Sequence, residues 1–314
     1  MDFFKSKGFW FKGNLHLHST YSDGSMSIDE LVKAYKKSGY DFFAITDHWK
    51  FNRLYQKKDF LVITGTEINL TDSMHIVCLG LKALPGKKPK TEQELCEFVK
   101  KNAVFYSLAH PNWSDIDAGS FPYLKYFNTL EVFNSDCELE VGRGFSEYFW
   151  DRALCDGFKF NAIAVDDAHE RIDDYCKAWV NVKAADKSEK AIIDALKKGR
   201  YYASIGPTIY DISINGKPKN IKVKNAIASW DDIRPKKNHG TITIKTSPCK
   251  QIRFICNAFP NHHGQIYRCT DKKGLTQAEY HIKGEEKYLR IECIDYDGKK
   301  AWSNPIYVSH ETFG

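Results

Sequence analysis

The chain has 314 residues, enough for one large α/β domain and a smaller second module. Its 42% hydrophobic and 27% charged residues are those of an ordinary soluble globular protein. The net charge of +6 comes from dispersed lysine pairs, so specific nucleic-acid binding is not expected. No apolar run is long enough to cross a bilayer, and the aromatic, basic N-terminus lacks a signal-peptide core, so no membrane association is expected.

From about residue 13 to 206, short apolar runs alternate with helical segments, which predicts a (β/α) architecture. A first strand at Asn14–His18 precedes a helix with a capping box from Ser27 to Glu30 and a terminating Gly39. A second capping signal joins Thr91 and Glu94. The other predicted strands are Asp41–Thr46, Leu61–Ile68, His75–Leu81, Val104–Ala109, Leu130–Phe133, Ala162–Val165 and Tyr202–Ile205, and the other helices are Phe145–Cys155 and Ser188–Lys198.

After Gly206 and Pro207 the pattern changes to short alternating runs between turn signals, with no convincing helix. These runs predict a small antiparallel β-sandwich. The predicted division is therefore a catalytic domain over residues 1–207 and a β module over residues 208–314. The runs are Ile209–Ile214, Thr241–Thr246, Gln251–Cys256, Tyr288–Ile294 and Pro305–Ser309.

Nine scattered cysteines, an odd number with no Cys-x-x-Cys pair, argue against a disulfide framework. They predict reduced thiols in a cytoplasmic protein.

Histidines and acidic residues gather at the ends of the predicted strands. Imidazoles and carboxylates that converge from several strand ends are what a multinuclear metal centre requires. His75 opens its strand instead, but a hairpin between its strand and the preceding one would place it beside Glu67. Active sites at the carboxyl rim are the rule in barrel-like α/β folds. The pattern predicts a metal-dependent hydrolase. Its candidate residues are His16, His18, Asp23, Asp47, His48, Glu67, His75, His110, Asp166, Asp167 and His169.

Four motifs resemble the PHP superfamily, named after polymerases and histidinol phosphatases. They are the nine residues from His16 to Gly24, Ile45–His48, Ala109–Pro111 and Asp166–His169, within a match over roughly residues 10 to 206. The resemblance implies a distorted (β/α)7 barrel that holds up to three metal ions at its carboxyl rim. Further stretches resemble the carbaryl-hydrolase-like branch of that family, namely Leu130–Asn134, Ala164–His169, Gly199–Pro207 and Ala301–Ile306.

Carried onto this sequence, the resemblance implies three ligand sets for two to three divalent ions. They are His16, His18, Glu67 and Asp167; Glu67, His75 and His110; and Asp23, His48 and His169, with Glu67 as the bridge between the first two. Zinc, manganese and iron all suit such mixed nitrogen and oxygen ligation. Asp166 is the alternative to Asp167, but a residue two before His169 on an extended segment shares its face, which favours Asp167. Asp47 either supports a ligand or is only a polar residue at a strand end.

Clustered divalent ions lower the pKa of a bound water, polarise a phosphoryl or carbonyl oxygen and stabilise the leaving oxygen. Hydroxide activated in this way and attacking phosphorus is the simplest mechanism, with Glu67, Asp167 and His169 as the catalytic candidates. The sequence has no Gly-Lys-Ser phosphate loop, so no nucleotide cofactor is expected.

A phosphoesterase must also bind the phosphate oxygens. Arg143, flanked by two glycines, is the first candidate because a guanidinium matches phosphate geometry, although it is equally compatible with an ordinary surface arginine. Asn134 and Asn112 are further candidates for substrate contact. Arg171 is a weaker one, since Asp173 and Asp174 offer it structural partners.

The sequence therefore predicts a cytoplasmic, metal-dependent hydrolase of a small phosphoester. One alternative is the hydrolysis of a carbamate, an amide or a carboxylic ester, because the resembled branch includes a carbamate hydrolase. The other is a PHP domain kept as a scaffold, with the β module binding a carbohydrate or a protein. The complete donor set argues against a scaffold. The sequence does not indicate the exact substrate or the oligomeric state.

Overall fold

The computed structural model describes residues 2–51, 59–215, 223, 225–228, 239–258 and 262–307. The chain divides into two compact units, residues 8–203 and residues 1–7 with 204–314. The 3-10 turn Asp2–Lys5 packs against the strand Ile209–Asn215, which explains why the first residues belong to the second unit. The mixed α/β class is confirmed, whereas the domain boundary at residue 207 stays a prediction.

The first unit alternates strands and helices along most of its length. The strands are β1 Phe9–Asn14, β2 Phe42–Ile45, β3 Leu61–Asn69, β4 His75–Leu79, β5 Phe105–Leu108, β6 Thr129–Asn134, β7 Asn161–Val165, β8 Trp179–Ala184 and β9 Tyr201–Ser204. The helices are α1 Ile28–Lys37, α2 Glu92–Asn102, α3 Ser135–Val141, α4 Glu147–Cys155 and α5 Glu189–Lys197. The strands are hydrogen-bonded in the order β9-β8-β1-β2-β3-β4-β5-β6-β7.

Both faces of the sheet are buried, as the strand β2 shows. Phe42 and Ala44 point into one hydrophobic cluster with Leu15 and Val180. Phe43 and Ile45 point into another cluster, which includes the buried face of α1. Alternating side chains of one strand thus enter two cores, which explains the continuous apolar runs in the sequence.

The strand directions bring several chain ends to one edge of the sheet. Strands β1, β2 and β3 are parallel, and so are β5, β6 and β7. Strand β4 runs antiparallel to β3 and β5, and Asn69 pairs with His75, so the predicted hairpin is confirmed. Just beyond β1 and β7, Leu17 and Ala168 form a parallel bridge. Closure into a (β/α)7 barrel stays a prediction.

In the first unit, one strand and two unpredicted elements differ most from the predictions. The strand predicted at Asn14–His18 is wrong in its bounds, because β1 ends at Asn14. The Asn14 amide donates to the carbonyl oxygen of Ala178 and its Oδ1 accepts from His16 N, so the side chain occupies hydrogen-bonding groups that would continue the ladder. Strand β8 and helix α3 were not predicted. The capping box of α1 and the N-terminal cap of α2 are confirmed.

The second unit consists mainly of antiparallel strands. Strands β10, β12 and β15 form one group, and the order β11-β14-β13-β16-β17 forms another. Their bounds are β10 Ile209–Asn215, β11 Ala226–Ala228, β12 Thr241–Cys249, β13 Gln251–Ala258, β14 His262–Cys269, β15 Leu275–His281, β16 Glu286–Ile294 and β17 Lys300–Ser303. The sandwich stays a prediction, and the end of the run Pro305–Ser309 lies outside the described residues. In the part of the chain that the structure describes, no helix is long and apolar enough to span a membrane.

Candidate metal centre

Histidine and acidic side chains meet where the strands of the first unit end. His16 and His18 follow β1, and their loop continues to Asp23. Glu67 lies near the end of β3, and the antiparallel hairpin brings the first residue of β4, His75, to the same place. The remaining donors, His48, His110, Asp167 and His169, follow β2, β5 and β7. The fold thus explains why donors distant in sequence converge.

Among the described residues, three groups of the predicted donors are close enough to hold a metal ion. In each group, one ligand atom per residue lies within 4.8 Å of the others. The groups are His16, His18, Glu67 and Asp167; Glu67, His75 and His110; and His18, Asp23, His48 and His169. The first two contain the same residues as the predicted ligand sets, and the third adds His18. That these side chains ligate metal stays a prediction.

Glu67 lies at the centre of the cluster and is 1% exposed. Its Oε1 is 2.7 Å from His75 Nδ1 and 3.4 Å from His110 Nε2. Its Oε2 is 3.1 Å from His16 Nε2 and 3.2 Å from His18 Nε2. The two oxygens of one carboxylate therefore face two different donor groups, which is the arrangement that a bridging ligand needs.

Asp167 completes the first group and has an unusual backbone. Its Oδ1 lies 2.9 Å from His16 Nε2 and 3.0 Å from His18 Nε2. Its φ is +54°, and that of His110 is +26°. Non-glycine residues rarely adopt such angles, and strained residues of this kind cluster at functional sites.

Asp166 and Asp47 act away from the donor atoms. Asp166 accepts from Tyr35 Oη at 2.6 Å and from the backbone N–H groups of residues 176, 177 and 178. It therefore fixes the loop before β8. Asp47 accepts from Ser19 N and Ser19 Oγ, both at 2.7 Å, and from Ser22 Oγ at 2.8 Å. It fixes the loop that carries the donors of the first motif.

The third group lies at the mouth of the site, where the side chain of Asp23 is 42% exposed. Asp23 Oδ2 is 3.4 Å from His169 Nε2 and 3.8 Å from His48 Nε2. His169 Nδ1 donates to the carbonyl oxygen of Asp167 at 2.8 Å, which leaves Nε2 as the lone-pair nitrogen of the neutral ring.

A fourth group of possible donors contains Asp136, His169 and Asp174. The carboxylate of Asp174 already accepts from the backbone N–H groups of His169 and Glu170, at 2.8 to 3.2 Å. His169 Nδ1, which faces Asp136 at 3.9 Å, is the nitrogen that donates to Asp167. These contacts indicate that the fourth group stabilises the loop after β7.

The charges in the cluster suit a divalent cation. Burial opposes ionisation of Glu67, but the charge of His16 and the hydrogen bonds from the surrounding histidines outweigh it and hold the pKa of Glu67 well below its usual range. Burial likewise opposes protonation of His18, but its hydrogen bonds to Asp167 and Glu67 raise its pKa to about 10. Positive charge is therefore favoured among these carboxylates. Mixed imidazole and carboxylate donors fit divalent metal binding, which would displace the imidazole protons.

A cavity of about 200 Å³ opens onto the donors. Besides seven of the donor residues, its described lining contains Trp113, Asp136, Cys137, Glu140 and Arg171. Histidines aside, Arg171 is the one basic residue in that lining. Its Nη2 donates to the carbonyl oxygen of Asp23 at 2.9 Å, which holds the guanidinium at the rim.

The structure does not bring Arg143 or Asn112 to this cavity among its described residues. The Arg143 side chain is 50% exposed, and its Nη1 lies 3.5 Å from Asp115 Oδ1. Asn112 lines a separate cavity of about 190 Å³. Asn134 is fully buried, and its amide donates to Glu131 and to Asp167 Oδ2, so it contacts a donor residue.

Glu131 is a site residue that the sequence reasoning missed. It is fully buried in β6, and its Oε1 lies 2.7 Å from His16 Nδ1. The available signal was a carboxylate within the apolar run Leu130–Phe133, where an unpaired charge would be costly.

Residues 14–143 match the PHP domain family. This stretch of 130 residues therefore belongs to the PHP domain family. The match covers seven of the nine predicted donor residues, and Asp167 and His169 lie beyond it.

Two relatives align with parts of this chain. The DNA polymerase/3'-5' exonuclease PolX of Bacillus subtilis is 55% identical over 40 residues, 13% of this chain and 7% of that protein. A probable histidinol-phosphatase of Thermotoga maritima is 29% identical over an aligned stretch of 123 residues, covering 31% of this chain and 53% of that protein. The alignments therefore span a small part of the first relative and about half of the second.

A solved structure with the same fold is a two-domain protein from Bacteroides vulgatus, described as containing a PHP-like metal-dependent phosphoesterase. The superposition has a TM-score of 0.52 and 15% identity, and it covers 95% of this chain and 96% of the other. At 15% identity, this likeness shows a shared fold alone.

Proposed function

We propose that this PHP protein is a metal-dependent phosphoesterase that hydrolyses a small phosphoester with two to three divalent ions. The observation that carries the proposal is the shared carboxylate of Glu67, whose two oxygens face separate donor groups. The PHP relatives and their described activities support a phosphoric ester over another substrate.

Each donor residue has a defined part in this proposal. Glu67 bridges the first two groups, Asp167 adds the second buried carboxylate, and His169 with Asp23 closes the third group at the mouth. When bound, clustered divalent ions supply a nucleophilic water at neutral pH and stabilise charge on the phosphoryl oxygens. The buried histidines exclude bulk solvent from the floor of the cavity, while the exposed side of Asp23 and His48 leaves an entrance.

Arg171 is the proposed contact for the phosphate oxygens, in place of Arg143. Its guanidinium lines the cavity with the donors, and the carbonyl of Asp23 orients it. A guanidinium can donate two parallel hydrogen bonds to a phosphate, and it stabilises charge that develops on the equatorial oxygens.

The finer architecture belongs to the same proposal. The bridge between Leu17 and Ala168 supports a distorted (β/α)7 barrel within the unit of residues 8–203, which lies inside the predicted catalytic domain of residues 1–207. The antiparallel strands after residue 208 support a β-sandwich module. Nine cysteines with no disulfide among them in the described residues support a reducing cytoplasmic location.

A substrate panel on the full chain tests the function. The protein is reconstituted separately with zinc, manganese and ferrous iron, then assayed with phosphomonoesters, phosphodiesters, aryl carbamates, amides and carboxylic esters. We expect phosphoester turnover that needs metal, is lost in Asp167→Asn and is inhibited competitively by inorganic phosphate. Turnover of carbamates, amides or carboxylic esters alone would establish the alternative hydrolase. Full metal content without any turnover would favour the scaffold.

A further inference from the structure

We propose that Glu131 and Asn134, the β6 bracket, are positioning residues that hold three donor residues in metal-binding geometry before an ion arrives. The three are His16, His110 and Asp167. The inference rests on the proposed function, because it assigns metal ligation to those donors. It concerns two residues that lie outside every group of potential metal donors described for the site.

The bracket consists of two polar side chains inside the protein. Glu131 and Asn134 both lie in β6 and are both fully buried, and Glu131 stands between the core residues Leu130 and Val132. A carboxylate in such a place is costly unless hydrogen bonds compensate it. The hydrogen bonds of Glu131 therefore indicate which groups this buried carboxylate positions.

One oxygen of Glu131 sets the tautomer of His16. Oε1 lies 2.7 Å from His16 Nδ1, and a carboxylate can only accept, so Nδ1 carries the proton. In the neutral ring that would bind a metal, His16 Nε2 then carries the lone pair, and this nitrogen lies 3.1 Å from Glu67 Oε2 and 2.9 Å from Asp167 Oδ1. A carboxylate behind a metal-binding histidine fixes the ring orientation in this way and raises its basicity.

The other oxygen of Glu131 joins the remaining two donor residues. Oε2 accepts from His110 N at 2.9 Å and from Asn134 Nδ2 at 2.9 Å. Asn134 Nδ2 also donates to Asp167 Oδ2 at 3.0 Å. The opposite end of the amide, Oδ1, accepts from Cys137 N at 3.1 Å as the N-cap of α3, which fixes the orientation of the amide.

The bracket contacts both donors that have left-handed backbones. His110 and Asp167 have positive φ, a conformation that persists only where the surroundings impose it. Glu131 holds the backbone of the first, and Asn134 holds the side chain of the second. Because the same pair also orients His16, it links donors from β1, β5 and β7 through one strand.

Glu131→Gln is the decisive variant. Glutamine presents one acceptor and one N–H₂ where Glu131 presents two acceptors, so either His16 Nδ1 or His110 N loses its partner. Zinc affinity of the full chain is measured by competition with a chromophoric chelator. We expect an affinity about 10- to 100-fold below that of the wild type, the range typical of partners that orient metal ligands.

Glu292→Gln is the matched control. Glu292 is also buried, at 2% exposure, but it lies in the second unit and pairs with Arg253 at 2.8 Å. We expect wild-type zinc affinity for this variant, whatever its thermal stability. Equal zinc affinity of wild type and Glu131→Gln would overturn the inference. A wild type that binds no zinc would overturn the proposed function itself, and the inference with it.

A second measurement decides the question if Glu131→Gln does not fold. Long-range ¹H–¹⁵N spectra of zinc-loaded wild type report the tautomer of His16 directly. We expect a proton on Nδ1, and an Nε2-protonated ring would overturn the inference. Asn134→Ser, whose hydroxyl can still cap α3, should weaken zinc binding as well; unchanged affinity would remove Asn134 from the bracket.

Discussion

Replacing Glu67 by Gln tests the core of the metal centre. Glu67 belongs to both the first donor group, which has four residues, and the second, which has three. Glu67→Gln therefore removes one negative charge that both groups share. The second group would keep two neutral imidazoles and an amide. At an effective dielectric of about 20, a unit charge about 4 Å from a divalent ion contributes roughly 8 kcal/mol, twice the value for two unit charges.

The amide oxygen of Gln still offers a neutral donor, so we take about half of that energy as lost. A loss of about 4 kcal/mol corresponds to roughly a thousandfold in affinity. We therefore expect Glu67→Gln to lose at least one ion per chain on dialysis against micromolar zinc, and its turnover to fall by a similar factor or more.

Elemental analysis gives the ion-to-protein ratio, and phosphoester hydrolysis gives the turnover. Glu97→Gln is the matched control, since Glu97 is an exposed carboxylate on α2, and it should keep both values. A Glu67→Gln protein that retains the wild-type metal content and turnover would refute the bridging role.

Three further predictions concern the same site. The wild type should purify with two to three ions per chain and lose all activity to chelators, and at most one ion after reconstitution would refute a multinuclear centre. Arg171→Lys should lower kcat/KM for phosphoesters by about 10- to 1000-fold with unchanged metal content, whereas Arg143→Lys should change it by less than about threefold; the opposite order would move the phosphate contact to Arg143. Asp167→Asn should abolish turnover and leave unfolding cooperative, whereas Asp166→Asn should keep the metal and lower the free energy of unfolding by about 1–3 kcal/mol, because Asp166 accepts three backbone N–H groups. Near-normal turnover in Asp167→Asn, with loss of turnover in Asp166→Asn, would exchange the roles assigned to these two residues.

Much of the fold could be predicted because the hydrophobic pattern and the capping motifs in the sequence match the elements that are buried in the structure. Strands such as β2 and β7 are continuous apolar runs since both of their faces are buried. The capping box at Ser27 located α1. Helix α3 escaped prediction because Ser135–Val141 is short and acidic, and its start depends on a side-chain cap from the preceding strand. The end of β1 could not be predicted because it depends on a hydrogen bond from the Asn14 amide to the carbonyl oxygen of Ala178, 164 residues away.

The candidate donors could also be predicted, since their motifs are local in the sequence. Their surroundings could not. Arg171 reaches the cavity through the carbonyl of Asp23, a contact between residues 148 apart. Arg143 is flanked by two glycines, which made it the first candidate for phosphate binding, but its guanidinium faces Asp115. Glu131 is hidden in an apolar run, and only the fold shows that His16, 115 residues earlier, is its partner.

The first donor group joins the beginning of the unit to its end. His18 lies 149 residues before Asp167, so most of residues 8–203 must be synthesised and folded before this group exists. A nascent chain or a fragment ending before Asp167 should therefore not load this site, and contacts over such distances slow the search for the native state. A bound ion would stabilise the unit as a whole, because opening either end would separate the ligands of this group. Metal occupancy would therefore report that the whole unit has folded.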